Sequence, residues 1–583
     1  MTTKVPERRA GVFVPIFALR SERDLGVGDT ESLKEMLGWC ARKGFGVLQV
    51  LPINETSDDN SPYNAISSLA LDITTLAVAP GLIPGLLEED LARLVPESLR
   101  DSLRRGPVQY RKLKALKWDL CRTAFERFVS GGNMMPEKRE FEEFLKVEGA
   151  WLDDYALFRA LVEQEGHPAW ERWAPWLQSP REASTWWMGL ETEAMHSFGH
   201  KVHFYSYVQW LLHRQWAGVA EFAAEKGVSL MGDMPFGVSR HSADVWAQPE
   251  QFDLKWSGGA PPEPMFQLDA FTAKWGQNWG VPVYDWERME SDDFQWWRRR
   301  VRGVARFFKL FRIDHVLGFY RVYSFPWQPQ DNGIYVDMEK EGVLERVGDL
   351  PRFLPQDDSS PENAEANRSH GESILAVLKE AAGDAVILAE DLGVVPDYVR
   401  PSLQKLGMSG FKIPMFERIE ETREYKDPLK YPELSVATLS THDHETMAGA
   451  WENWWQVIEQ DLGPGVIPVG NQGLSEAGRQ ASWELYRTQR FAGLPDARPI
   501  RRFEPEVREA LILKLLQSQS WLAVLMITDL FGWKLRFNVP GPVAESNWSE
   551  RLELSVAELE SKADTAGVGV WVQQRIVETD RGC

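Results

Sequence analysis

At 583 residues, with 43% hydrophobic and 26% charged residues, the chain has an ordinary globular balance and enough length for a large core. A net charge of -21 argues against nucleic acid, whose phosphates call for basic surface. Three scattered cysteines, Cys40, Cys121 and Cys583, make neither a disulfide framework nor a zinc finger and point to a reducing compartment, the cytoplasm.

Short apolar runs alternate with longer helical stretches. Residues 12–17 form the first predicted strand; Pro15 and the charged Arg20-Ser21-Glu22-Arg23-Asp24 that follows argue against a signal peptide. No run approaches the roughly 20 apolar residues of a membrane span. A helix follows over 30–43, with Thr30 as its expected N-cap. Gly26 and Gly28 before it lack the third glycine of a dinucleotide fingerprint and read as a tight turn. Further strands are expected at 46–52, 228–233, 308–314, 385–390, 410–415, 434–441 and 521–528, with helices over 203–226 and 291–306. Eight strands with helical crossovers predict a closed (β/α)8 TIM barrel with large, mostly helical insertions, and an open doubly wound sheet is the alternative. The expected division is 1–79 for strands one and two, 80–200 for a mostly helical insertion subdomain, and 201–583 for the rest of the barrel. A loop excursion is expected at 257–286, a polar exposed stretch at 355–372 and another loop at 463–473.

Barrel enzymes place their chemistry at the C-terminal ends of the strands. Asp233, Asp314, Glu390 and Asp443 all fall at such ends, after strands three, four, five and seven. Paired carboxyl groups are the equipment of glycoside chemistry. Side chains alternate along a strand, so Arg312 and Asp314 share a face, and the arginine favours a charged aspartate. A structural ion pair gives the same pattern. Glu390 ends the apolar run Val386-Ile387-Leu388-Ala389, where desolvation raises a carboxyl pKa and suits it to donate a proton. Its competing role, or that of Asp391, is to cap the next helix. Asp443 lies between His442 and His444; the competing roles are a turn cap and a metal site. On a strand the two histidines would face away from the aspartate, against a metal. His196, His200 and His203 could share a helical face but lack a metalloprotease acid. Many of the 26 tryptophans are expected in the core, and some could stack on sugar rings.

Several motifs together carry a resemblance. They include Leu25-Gly26-Val27-Gly28-Asp29, Ser61-Pro62-Tyr63, Gly232-Asp233-Met234-Pro235, Gly276-Gln277-Asn278-Trp279-Gly280, Arg312-Ile313-Asp314-His315, Ala389-Glu390-Asp391-Leu392-Gly393, Thr441-His442-Asp443 and Asn547-Trp548. In their order the chain resembles the 4-α-glucanotransferases of glycoside hydrolase family 77, also called amylomaltases or disproportionating enzymes. Two of these motifs look nearest the maltose-using cytosolic branch of plants. The resemblance implies Asp314 as nucleophile, Glu390 as general acid/base and Asp443 as transition-state stabiliser. It also implies substrate contacts at Tyr63, Asp233, Trp279, Arg312 and His442. It implies maltose, maltooligosaccharides and glycogen or starch-like α-glucan as substrates, with no cofactor and no metal. Val281 and His444 depart from the Asn common at both positions, which bears on acceptor preference. An amylase-like hydrolase and a noncatalytic glucan-binding barrel are the alternative readings.

Overall fold

The computed structural model describes residues 5–56, 59–131, 134–263, 269–541 and 546–582. Eight parallel strands close into a barrel: β1 Arg9–Phe13, β2 Val47–Gln49, β3 Ser229–Met234, β4 Leu310–Ile313, β5 Val386–Ala389, β6 Ser409–Lys412, β7 Ser435–Thr438 and β8 Leu522–Met526. Neighbours follow chain order, and the ring closes where β1 pairs with β8 from Arg9↔Leu522 to Phe13↔Met526. That closure rules out the open sheet. All eight predicted strands are present. The first runs over Arg9–Phe13 and ends earlier than expected, because Pro15 cannot donate to the ladder and Ile16–Ala18 turns as a 3-10 helix.

The strands are short and apolar because both of their faces are covered. Leu310, Phe311 and Ile313 of β4, and Ile387, Leu388 and Ala389 of β5, are buried. Outside them pack helices whose rings fill the wall: Trp39, Trp210, Trp216, Trp297, Trp451 and Trp455 are among the most deeply buried side chains. Cys40 and Cys121 are buried as well, and Cys583 lies outside the described residues.

The helix Thr30–Arg42 is capped by Asp29, whose carboxylate accepts the Glu31 and Ser32 N–H groups. Thr30, the expected cap, is instead the first helical residue, and its hydroxyl donates to Gln215. Between β2 and β3 the long helices are Tyr110–Ser130, Met135–Glu165 and Thr192–Glu225. The histidines His196, His200 and His203 sit on the last, where the His203 ring packs on Phe125 and Phe141. Among the described residues, no group of three His, Cys, Asp or Glu is placed to hold a metal ion. None of their helices is long and apolar enough to cross a membrane.

The 257–286 region is not a plain loop. Strands Phe252–Ala260 and Gln277–Tyr284 pair antiparallel, and Val322–Phe325 and Arg352–Leu354 extend them to a four-stranded sheet. Gly259 is needed there, since a Cβ would lie 2.0 Å from the Gln277 carbonyl oxygen. The polar 355–372 stretch also differs from expectation, because a helix, Pro361–Ala382, begins inside it. Ser360 caps that helix and Pro361 occupies its first turn.

Candidate active site

The ladder that builds the barrel wall also aims its acids. β4 and β5 are neighbours, with Ile313 opposite Ala389, so Asp314 and Glu390 follow directly at adjacent strand ends. Backbone bonds continue past the strands: Glu390 N–H donates to Ile313 (3.0 Å), and Asp314 N–H donates to Met234 (3.0 Å). Adjacent strands lie about 4.8 Å apart. Both carboxyl groups line one cavity of about 470 Å³, which Tyr63, Trp279, Arg312 and Asp443 also line.

Arg312 joins two of the acids, as their shared strand face requires. Its Nη2 lies 2.8 Å from Asp314 Oδ1, and its Nη1 donates to Asp233 Oδ1 and Oδ2 at 2.9 and 2.8 Å. Asp233 and His442 stand behind the cavity wall. The Tyr63 hydroxyl donates to Asp233 (2.8 Å) and lies 3.0 Å from His442 Nε2. Its ring stacks on His442, with centroids 5.4 Å apart. His442 Nε2 is also 3.2 Å from Asp443 Oδ2. Six of the eight predicted residues therefore line the cavity, and Asp233 and His442 support it from behind. Asp391, the competing helix cap, instead accepts the Phe411 N–H and pairs with Arg400.

Burial raises the Glu390 carboxyl to about 8, Asp314 adds to the effect, and Arg312 and the His315 N–H bond (2.9 Å) oppose it. Burial would raise Asp443 too, but His442 and the amide of Asn538 outweigh it and hold this carboxyl below the usual range. Burial works against the charge on Arg312, yet Asp233 and Asp314 keep it firmly protonated. Burial lowers His315 and His444 to about 4, so both rings are neutral at pH 7.

Sequence reasoning missed Asn538, whose Nδ2 donates to Asp443 Oδ1 at 2.6 Å. It also missed Arg536, which donates to the Asp443 carbonyl at 3.2 Å. Neither lies at a strand end or in an acidic run, so no local pattern singles them out. His315, noted only within a motif, supplies the backbone N–H that Glu390 accepts.

A family model described as 4-alpha-glucanotransferase, glycoside hydrolase family 77, matches residues 14–556. The chain belongs to that family. A 4-alpha-glucanotransferase of Chlamydia pneumoniae is 30% identical over 556 residues, covering 94% of this chain and 92% of its own. One from Oryza sativa subsp. japonica is 34% identical over 662 residues, covering 91% of this chain and 65% of its own. In fold, the chain is similar to an amylomaltase from Streptococcus agalactiae in complex with acarbose. That match has a TM-score of 0.72 and 22% identity, covering 99% of this chain and 100% of the other. Val281 and His444 both line the cavity. Val281 packs so closely on Gly237 that a Cβ there would lie 2.6 Å from it.

Proposed function

We propose that the enzyme moves α-1,4-linked glucosyl or maltooligosyl units between α-glucans by a retaining double displacement. Asp314 attacks the anomeric carbon while Glu390 gives its proton to the departing 4-oxygen, and a covalent glycosyl-enzyme forms. Bond formation removes the Asp314 charge, one of the influences raising Glu390, so Glu390 becomes more acidic. In the second step it takes the proton of the acceptor 4-hydroxyl, whose oxygen attacks the anomeric carbon and frees Asp314. Asp443, kept charged by its partners, accepts from ring hydroxyls and stabilises the transition state. Tyr63 and Arg312 hold the donor sugar, with Asp233 and His442 orienting them, and the half-exposed Trp279 ring offers a platform for an acceptor.

One observation carries the reading: an arginine-paired aspartate and a buried glutamate, its carboxyl pushed up by that burial, end adjacent strands in one cavity. Adjacent strand ends suit the separation of about 5–5.5 Å found in retaining enzymes. Maltose, maltooligosaccharides and glycogen or starch-like glucan are the proposed substrates, and the cytoplasm is the proposed site of action. We also assign residues 80–200 to a helical insertion subdomain, with 1–79 and 201–583 forming the barrel. Incubation with maltotriose, with and without glycogen, tests the function. A ladder of longer oligosaccharides together with glucose supports transfer, whereas only shorter sugars would indicate hydrolysis.

A further inference from the structure

Asp443 rides on a segment that leaves β7, turns at residues 441–444 and enters the helix Met447–Leu462. At the turn, the His444 N–H donates to the Thr441 carbonyl at 3.0 Å. Asp529, in the short helix Ile527–Phe531 after β8, is 3% exposed and sits at both feet of this segment. One of its oxygens accepts the Ser440 hydroxyl at 2.5 Å; the other accepts the Met447 backbone N–H at 2.8 Å. A single buried carboxyl group thus sets the distance between the two feet. The tip of the segment is held from the same stretch of chain, by Arg536 and Asn538.

This clasp is costly to keep. Burial, with a smaller push from Glu445, raises the Asp529 carboxyl to about 6 against the bonds from Ser440 and Met447; no cation contributes. An apolar residue would fill the same space without that cost. That cost falls on a segment that carries one of the three acids given roles above, Asp443.

We propose that Asp529 is a positioning residue for the transfer reaction: by clasping Ser440 and Met447 it fixes the Asp443 carboxylate against the substrate. The inference rests on the role given to Asp443 above.

Three variants of the full chain test it, with kcat and KM measured on maltotriose and folding followed by circular dichroism and thermal melting. In Asp529→Asn the amide carbonyl still accepts Met447 N–H, and the amide N–H donates to the Ser440 hydroxyl, which accepts as readily as it donates. This variant is expected within about threefold of the wild-type kcat. Asp529→Leu loses both bonds, and kcat is expected to fall on the order of 10²-fold, the loss typical of about 1 Å of misplacement, with little change in KM. Ser440→Ala releases one foot and leaves the rest of the protein intact; it decides the matter if the leucine variant fails to fold. Its kcat is expected to fall about tenfold while the protein stays folded, with the melting temperature lowered only by the loss of one bond to a buried carboxyl. Wild-type kcat in Ser440→Ala, or an Asp529→Asn enzyme no better than a folded Asp529→Leu enzyme, overturns the inference. Asp443→Asn separates the two readings. If it keeps its turnover, the role of Asp443 fails. If it is inactive while the clasp variants run at full speed, only the clasp fails.

Discussion

The protonation of Glu390 gives the sharpest test, with pH as the perturbation. Its ordinary value is 4.5, and burial, reinforced by Asp314, carries it to about 8 against Arg312 and the His315 N–H. An acid of that strength is about 90% protonated at pH 7, whereas an unperturbed glutamate would be protonated in well under about 1% of molecules. The rate of glycosyl-enzyme formation should therefore hold level through neutral pH. Above about 8 it should fall about tenfold per pH unit, as the proton needed by the leaving oxygen is lost. Initial rates of glucose release from maltotriose between pH 6 and 10 measure this. A maltosyl fluoride donor is the control: fluoride departs without a proton, so the alkaline fall in glycosyl-enzyme formation should disappear. Stability moves with the same group. A raised carboxyl stabilises the fold fully below its unfolded value near 4.5, and that contribution is lost as pH rises through about 8. The melting temperature should decline across that window, and Glu390→Gln should flatten the decline. A midpoint near 5 for the maltotriose rate, or the same alkaline fall with the fluoride donor, would refute the assignment of Glu390 as a buried acid.

Asn538→Ala removes a hydrogen bond to a charged carboxylate, worth about 1.5–3 kcal/mol, so kcat/KM for maltotriose should drop about 10–100-fold. Trp279 is 37% exposed, and Trp279→Ala should raise the KM for acceptor sugars while leaving hydrolysis of a fluoride donor nearly unchanged; competition between acceptors measures it. Arg551→Ala removes the buried arginine 3.0 Å from the fully buried Asp24 carboxylate and leaves only the more distant, partly exposed Arg104 at 3.9 Å. Urea unfolding should show a loss of about 3–5 kcal/mol, with kcat of the folded enzyme retained.

The barrel was legible because each strand is a short apolar run, and the acids were legible because they end those runs. Arg312 and Asp314 could be placed on one face from strand alternation alone, and their ion pair follows from it. The four-stranded sheet was not legible. Gly258, Gly259, Pro261 and Pro262 break its local pattern, and its pairings, such as Ser257 with Phe325, join residues far apart in sequence. Tyr63 sits in irregular backbone, so only the resemblance pointed to it. The structure explains its place: its hydroxyl meets Asp233 and His442, which come from different strands. Asn538 reaches Asp443 only because β8 closes the barrel beside β7, a long-range fact that no motif records.

Long-range contacts also make His315 more than a motif residue. Its φ of +46° lies in the left-handed region, which a residue with a Cβ enters at a cost on the order of 1 kcal/mol or more. That backbone turn directs its N–H to the Glu390 carboxyl at 2.9 Å. The ring then packs edge-on against Trp279, with centroids 4.8 Å apart, and also against Phe236. Burial holds the ring neutral, so it adds no charge beside the acid. The acid's backbone partner and the support of the exposed Trp279 platform are therefore one residue, held by packing from β3's outgoing loop. Glycine would adopt the backbone more cheaply and would keep the N–H, but it would leave Trp279 without that ring.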